Sequence, residues 1–293
     1  MSNTRQVTAS ASGTITFGGE LTVNRLGFGA MRITGEGIWG PPKDRAAALA
    51  TLRRAVELGV NFIDTADSYG PDVSEELIAE ALAPYPRGVV IATKGGWLRV
   101  GPGQWIHDAS QGHLRQAVEG SLKKLRLERI DLYQLHMPDH AISFEASVET
   151  LAELRSQGKI RLIGLSNITR EHIERARKIV PIVSVQNRYS FADQEWDYVV
   201  DYCERNGIVF IPWAPLGFGM TNDSVVSRIA KAHQATSRQV AVAWALQRSP
   251  LILPIPGTSS PAHVEENIAA ASLRLSDQEF RELLSVKRQF TTR

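Results

Sequence analysis

Residues 130–165, IDLYQLHMPDHAISFEASVETLAELRSQGKIRLIGL, hold one complete beat of the fold. Ile130–Leu135 is a short apolar run that ends on a histidine, His136. Val148, Leu151 and Leu154 then recur at helical spacing, Gly158 stops that helix, and residues 160–165 form a second apolar run. Strands that are apolar along their length and alternate with helices imply a parallel sheet covered by those helices.

The same beat runs outward in both directions. Upstream, an apolar stretch at 26–28 leads into a long loop rich in Gly and Pro. Asp44 then caps a helix carrying Leu49, Leu52 and Val56, which Gly59 ends before a strand at 61–64. A helix at 74–82, a β-rich run at 89–93 and a stripe of Leu114, Val118, Leu122 and Leu125 complete that side. Downstream come a helix after Thr169, a strand at 182–186, a helix over 196–206 and a strand at 208–213. Helices follow at 224–233 and 237–247, then the apolar run 251–255, a helix opened by Ser260-Pro261, and a last one opened by Ser276. About eight strand–helix units predict an α/β fold, the (β/α)8 TIM barrel. An N-terminal β-hairpin (14–17 and 21–23, around Gly18-Gly19) precedes it and an extra C-terminal helix follows. An open doubly wound sheet is the competing architecture. It is disfavoured because no Gly-x-Gly-x-x-Gly follows the first strand and opens a helix. The expected organisation is a flexible N-terminus over 1–12 and a single domain over 13–293.

Composition narrows the function classes. The 293 residues are 43% hydrophobic and 22% charged, with 33 basic against 31 acidic side chains, so a net charge of +2 gives no electrostatic case for nucleic acid or an anionic membrane as partner. One cysteine, Cys203, cannot form an internal disulfide. The N-terminal stretch lacks a signal peptide's apolar core, and the most apolar segment, 208–220, is too short for a membrane span and contains two prolines. A cytoplasmic protein, monomeric or a weak homo-oligomer, is the expectation. His107, His113, His136 and His140 are scattered without a metal-ligand spacing, so no metal is expected.

In a (β/α)8 barrel the active site lies at the C-terminal ends of the strands. The second strand there delivers Asp64 and, in the run Phe62-Ile63-Asp64-Thr65-Ala66-Asp67-Ser68-Tyr69-Gly70, Tyr69. The third ends on Lys94 and the fourth on His136. Each alone has a plainer reading: a loop cap, a packing ring, a solvated ammonium, a rim histidine. Together they make one device. Carbonyl reduction needs a proton for the developing alkoxide, and a free phenol's pKa of about 10 is too high for easy exchange near neutrality. Lys94 is expected to lower it, Asp64 to hold Lys94, and neutral His136 to donate a hydrogen bond to the carbonyl oxygen.

On these residues the chain resembles the aldo-keto reductases. The Asp-Thr-Ala-x-x-Tyr-Gly string, Lys94 and His136 look like that family's catalytic tetrad, and the likeness runs from Leu26-Gly27-Phe28-Gly29 to Glu266-Asn267. Within the family the chain is most similar to bacterial pyridoxal reductase-like members, through 40–45 (Gly-Pro-Pro-Lys-Asp-Arg) and 255–260 (Ile-Pro-Gly-Thr-Ser-Ser). The resemblance implies NADP(H), with NAD(H) bound more weakly, and an aldehyde or ketone as the small-molecule substrate. It implies that Ser166, Asn167 and Gln186 hold the nicotinamide carboxamide and that Trp213 stacks on its ring. Gly29, Ala30, Met31 and the run Ala214-Pro215-Leu216-Gly217 would line the rest of the cofactor's path. Gly257, Thr258, Ser259 and His263 would take the adenosine 2′-phosphate, and Glu266 and Asn267 the adenine. Many members carry Lys where this chain has Gly257 and Arg where it has His263, which loosens the expected preference for NADPH.

Trp39, Trp97 and Trp105 are expected to wall the substrate, with Arg32 and Arg99 as candidates for an anionic substrate group. Two other readings stand beside reduction. One is a slow NADPH-binding sensor subunit of the kind some members form. The other is an aldolase using Lys94 as a Schiff-base nucleophile, which would not need Tyr69 at this spacing.

Overall fold

A computed structural model describes residues 6–215 and 223–286. In chain order the strands are β1 (Thr14–Phe17), β2 (Leu21–Asn24), β3 (Phe28–Gly29), β4 (Phe62–Asp64), β5 (Val90–Gly95), β6 (Trp97–Gly101), β7 (Gln104–His107), β8 (Ile130–Leu135), β9 (Ile160–Ser166), β10 (Ser184–Gln186) and β11 (Val209–Phe210). The helices are α1 (Arg45–Glu57), α2 (Val73–Leu82), α3 (Gln111–Leu125), α4 (Phe144–Ser156), α5 (Arg170–Ala176), α6 (Asp197–Arg205), α7 (Ser224–Ala232), α8 (Ser237–Arg248), α9 (Pro261–Ala269) and α10 (Asp277–Leu284).

Seven strands pair in parallel in the order β11-β10-β9-β8-β5-β4-β3, and the sheet curls until its edges meet. The closing segment is 251–255. Phe210 N donates to Leu251 O (2.8 Å), Leu253 N donates to Phe210 O (2.9 Å), and Gly27 N donates to Pro254 O (3.0 Å). This eighth stave is an isolated bridge, Phe210 to Ile252, rather than the full strand the apolar run suggests. Pro254 has no N–H for a ladder, so pairing there can only be one-sided.

Period-2 alternation sorts each stave into a barrel side and a helix side. Phe62, Val90, Ala92, Leu132, Leu162, Val183, Val209, Ile211, Leu253 and Ile255 pack inside the barrel, together with Ile15, Phe17 and Val23 of the β1–β2 hairpin. That hairpin plugs the N-terminal mouth, with the Phe17 and Phe62 rings stacked at 5.3 Å. The intervening residues, among them Ile63, Ile91, Tyr133, Leu135, Ile163 and Leu165, pack against the helices.

Helix starts follow their caps. Asp44 accepts from Ala47 N, Ser110 from His113 N and Ser143 from Ala146 N, while Thr236 and Ser276 open capping boxes. The N-terminal boundary differs from expectation. Ala9–Ser12 form a 3-10 turn with Ala9 fully buried and Ala9 N donating to Leu58 O (2.8 Å), so these residues belong to the packed body rather than to a flexible tail. A second departure is the antiparallel hairpin β6–β7 in the loop after β5, with a register shift between Arg99 and Gly101.

Candidate active site

The inward alternation that stacks Phe62, Ala92 and Leu132 inside the barrel continues upward. Two residues on, it places Asp64, Lys94 and Gln134 in the next layer, with Lys94 opposite Gln134 in register. An apolar floor therefore carries a polar layer at the C-terminal mouth. Asp64, Tyr69, Lys94 and His136 meet there, and all four are buried.

Lys94 Nζ donates to Asp64 Oδ1 (2.6 Å) and to Thr65 O (2.8 Å). The ammonium also lies 5.3 Å from the centre of the Tyr69 ring. Asp64 is held from its other side, its Oδ2 accepting from Gln134 Nε2 (3.1 Å) and Gln186 Nε2 (2.9 Å). A lone buried charge would be costly; this pair is compensated by three further hydrogen-bonding groups, Thr65 O, Gln134 and Gln186.

The electrostatics follow from burial. Burial alone drives the Lys94 ammonium toward its neutral form, but Asp64 and Tyr69 outweigh it and hold its pKa above the ordinary value. Burial, reinforced by Lys94, drives His136 well below the ordinary histidine value, so it is a neutral imidazole near neutrality. Tyr69 corrects an expectation. Burial raises its pKa and Lys94 offsets this only in part, so the hydroxyl stays firmly protonated without ligand. The His136 ring meets Tyr69 edge-on at 5.8 Å, and Ser68 Oγ stands 3.5 Å from His136 Nδ1.

Several of the residues expected to hold a cofactor lie around the same mouth. Gln186 is in register with Ser166 across β9 and β10. Asn167 adopts the left-handed conformation (φ 55°), which Asn tolerates better than most residues. Its amide donates to His136 O (3.0 Å), and its Oδ1 accepts from Trp213 Nε1 (3.0 Å), fixing the half-buried indole. Hydroxyl, amides and a pinned aromatic face fit a nicotinamide ring with its carboxamide. Gln186, expected to face that carboxamide, also braces Asp64 through its Nε2.

Gly29, Ala30 and Met31 lead out of β3, and Ala214 and Pro215 follow Trp213, which bridges to Arg188 beyond the end of β11. Leu216 and Gly217 lie outside the described residues. At the start of α9, Thr258 Oγ1 accepts from Ser260 N (3.1 Å) and stands 3.4 Å from His263 Nδ1. A Cβ on Gly257 would sit 2.5 Å from Gly29 O and 3.7 Å from Arg32 Cγ, so the stem of Arg32 passes beside Gly257. Ser259 is exposed and Asn267 buried. Glu266 accepts from Thr236 Oγ1 (2.6 Å).

On the opposite side of the mouth, Trp97 meets His136 edge-on at 6.3 Å, His107 at 4.0 Å and Trp105 at 5.6 Å. Trp39 and Trp105 both face the Arg99 guanidinium, at 5.7 and 3.8 Å. Arg99 is not the free anion anchor its position suggested, because its N–H groups are already bonded to backbone carbonyls. Sequence reasoning passed over Gln134, Ser68 and the β6–β7 hairpin. Gln134 did leave a trace, as a polar side chain in the apolar run of β8.

The chain belongs to the aldo/keto reductase family, whose description matches residues 25–288. It is 44% identical to pyridoxine 4-dehydrogenase of Escherichia coli over 287 residues, covering 95% of this chain and 100% of that protein. It is 46% identical to an uncharacterised oxidoreductase of Schizosaccharomyces pombe over 279 residues, covering 94% of this chain and 90% of the relative. Among solved structures, an aldo/keto reductase from Klebsiella pneumoniae in complex with NADP and acetate superposes with a TM-score of 0.80 at 27% identity, covering 94% of this chain and 96% of that one.

Proposed function

We propose that this chain is an NADP(H)-dependent reductase of aldehydes or ketones, in which Tyr69 protonates the substrate oxygen. One observation carries the reading: a buried ammonium bonded to Asp64 and to Thr65 O, 5.3 Å from the centre of the Tyr69 ring. NADPH, when bound, supplies the hydride. Ser166, Asn167 and Gln186 would hold its carboxamide and Trp213 would back its ring.

The chain's own residues manage the proton. Tyr69 is the general acid, its proton passing from Oη to the carbonyl oxygen as that oxygen gains negative charge. The phenolate left behind faces Lys94, which is already ionised and needs no reorganisation to receive it. Asp64 keeps Lys94 in place and is kept in place by Gln134 and Gln186. His136, neutral because it is buried beside a cation, directs an N–H toward the same oxygen. Tyr69 rests as a fully protonated phenol, the form a reductive general acid requires.

Arg32 extends the reading to cofactor choice. With Gly257 and His263 where relatives often carry cations, the guanidinium whose stem lies beside Gly257 is the group at hand for a 2′-phosphate. Trp97, together with Trp39 and Trp105, forms an aromatic wall suited to planar carbonyl compounds. The resemblance to pyridoxine 4-dehydrogenase makes pyridoxal the first substrate to try. The test is a panel of carbonyl compounds including pyridoxal, followed at the cofactor's absorbance with NADPH and with NADH. Steady turnover with KM for NADPH well below that for NADH supports the proposal. A single burst without recycling would favour the slow sensor reading instead, and equal KM values would sink the 2′-phosphate assignment.

A further inference from the structure

Arg99 sits on β6 beside its register shift with β7, between the exposed side chains of Leu98 and Val100, so that strand alternation turns it the other way. A guanidinium has five N–H donors in a rigid plane. Here all five meet backbone carbonyls. Nε donates to Gln104 O (3.1 Å), Nη1 to Ile38 O (2.7 Å) and Ser68 O (2.9 Å), and Nη2 to Gly37 O (2.9 Å) and Gly101 O (3.4 Å). The acceptors come from three separate segments: the loop after β3, the loop carrying Tyr69, and the hairpin itself. Trp105 stacks on the guanidinium at 3.8 Å and Trp39 lies at 5.7 Å.

The same three segments are tied at Tyr69 by main-chain bonds. Gly70 N donates to Ile38 O (3.3 Å) and Gly40 N donates to Gly70 O (2.5 Å). Ile38 O thus accepts from both Arg99 and Gly70, while Ser68 O on the other side of Tyr69 accepts from Arg99. Both peptide groups flanking Tyr69 are held by one assembly. Ile38 has φ 57°, a left-handed conformation that is unfavourable for a β-branched residue. Such a conformation persists where surrounding contacts impose it, and these two donors are what aim its carbonyl.

We infer that Arg99 is a positioning residue: it clamps the loop at 37–40 and the β6–β7 hairpin onto the Tyr69 segment, fixing the acid and the aromatic wall together, and has no donor left for a substrate anion. The inference rests on the reductase reading for its kinetic consequences and on geometry alone for its structural ones. A lysine could not replace the clamp, because an ammonium offers three donors from one point instead of five in a plane.

The experiment compares wild type, Arg99→Ala and Arg99→Lys with a neutral aldehyde (4-nitrobenzaldehyde) and an anionic one (4-carboxybenzaldehyde), alongside NADPH binding by fluorescence and amide hydrogen exchange. For Arg99→Ala, kcat is expected to fall roughly 100-fold for both aldehydes, the usual effect of a small misplacement of a catalytic group. The NADPH Kd should stay within about twofold. Arg99→Lys should behave like the alanine variant, and guanidinium chloride at non-denaturing concentrations should restore part of the alanine variant's rate. Amides of residues 38–40 and 69–70 should lose protection while those of β5 and β8 keep theirs. A rise in KM confined to the anionic aldehyde, with kcat retained, would make Arg99 a substrate anchor and overturn the inference. So would unchanged exchange at 38–40 and 69–70. If the wild type reduces neither aldehyde, the reductase reading fails, and the exchange measurement still decides the clamp.

Discussion

At the level of single residues, the site is a study in what burial does to charge. Lys94, Tyr69 and His136 share one desolvated layer and respond differently, because Lys94 has Asp64 beside it and His136 has Lys94. Glu75, on the helix side of the same staves, follows the rule with no counter-ion in contact among the described residues. It is fully buried, accepts from Thr93 Oγ1 (2.6 Å), and burial is the main cause that lifts its carboxyl from 4.5 to about 7. A carboxyl whose pKa is raised on folding favours the fold only while protonated. Its contribution is therefore full below about pH 4.5 and is lost as pH rises through about 7. Denaturant unfolding at pH 5 and pH 8 should show wild type losing up to about 3 kcal/mol more across that interval than Glu75→Gln, which stays neutral. Equal losses would place the titrating group elsewhere. Arg32→Gln should raise the NADPH Kd roughly tenfold or more, as loss of a charge-assisted hydrogen bond does, and leave the NADH Kd unchanged. Equal effects on the two cofactors would detach Arg32 from the 2′-phosphate.

At the level of elements, β5 is the stave on which the site turns, and its packing leaves little slack. A Cβ on Gly95 would stand 2.1 Å from the hydroxyl of fully buried Tyr133 on β8. Gly95→Ala is expected to cost about 1–3 kcal/mol and lower the melting temperature by several degrees. It should also reduce activity, since Lys94 is the preceding residue. A melting temperature equal to wild type would mean the β5–β8 contact yields more readily than its geometry suggests. The staves and helices were legible because each announces itself locally, by a cap, a stripe or a period-2 alternation. That alternation also made Asp64, Lys94 and His136 legible, as polar groups at the tops of apolar strands. The β6–β7 hairpin was not legible, because its pattern is reversed. Leu98, Val100 and Ile106 point outward with 38%, 57% and 48% exposure, while Arg99 points in. The partners of Arg99 are carbonyl oxygens, which no residue pattern advertises.

At the level of the whole molecule, closure of the sheet brings groups from β4, β5, β8, β9 and β10 to one mouth above an apolar floor. The fold was readable from the count of strand–helix units. The weak eighth stave was less so, because Pro254 interrupts a run whose apolarity looks continuous. The state of Tyr69 was not readable at all: the sequence supplies the neighbouring lysine, but only the closed barrel shows how deeply the phenol is buried. Cofactor binding to the folded form alone should stabilise the entire barrel. NADPH at 100 times its Kd should add about 2.7 kcal/mol to unfolding, seen as a concentration-dependent rise in melting temperature. No rise would argue against a nicotinamide site at this mouth. The central claim is that the Tyr69 hydroxyl delivers the proton, and Tyr69→Phe tests it most directly, with single-turnover reduction measured beside NADPH binding. The expected result is a rate lower by roughly two to four orders of magnitude with NADPH affinity retained. A near-normal rate with cofactor bound would contradict it.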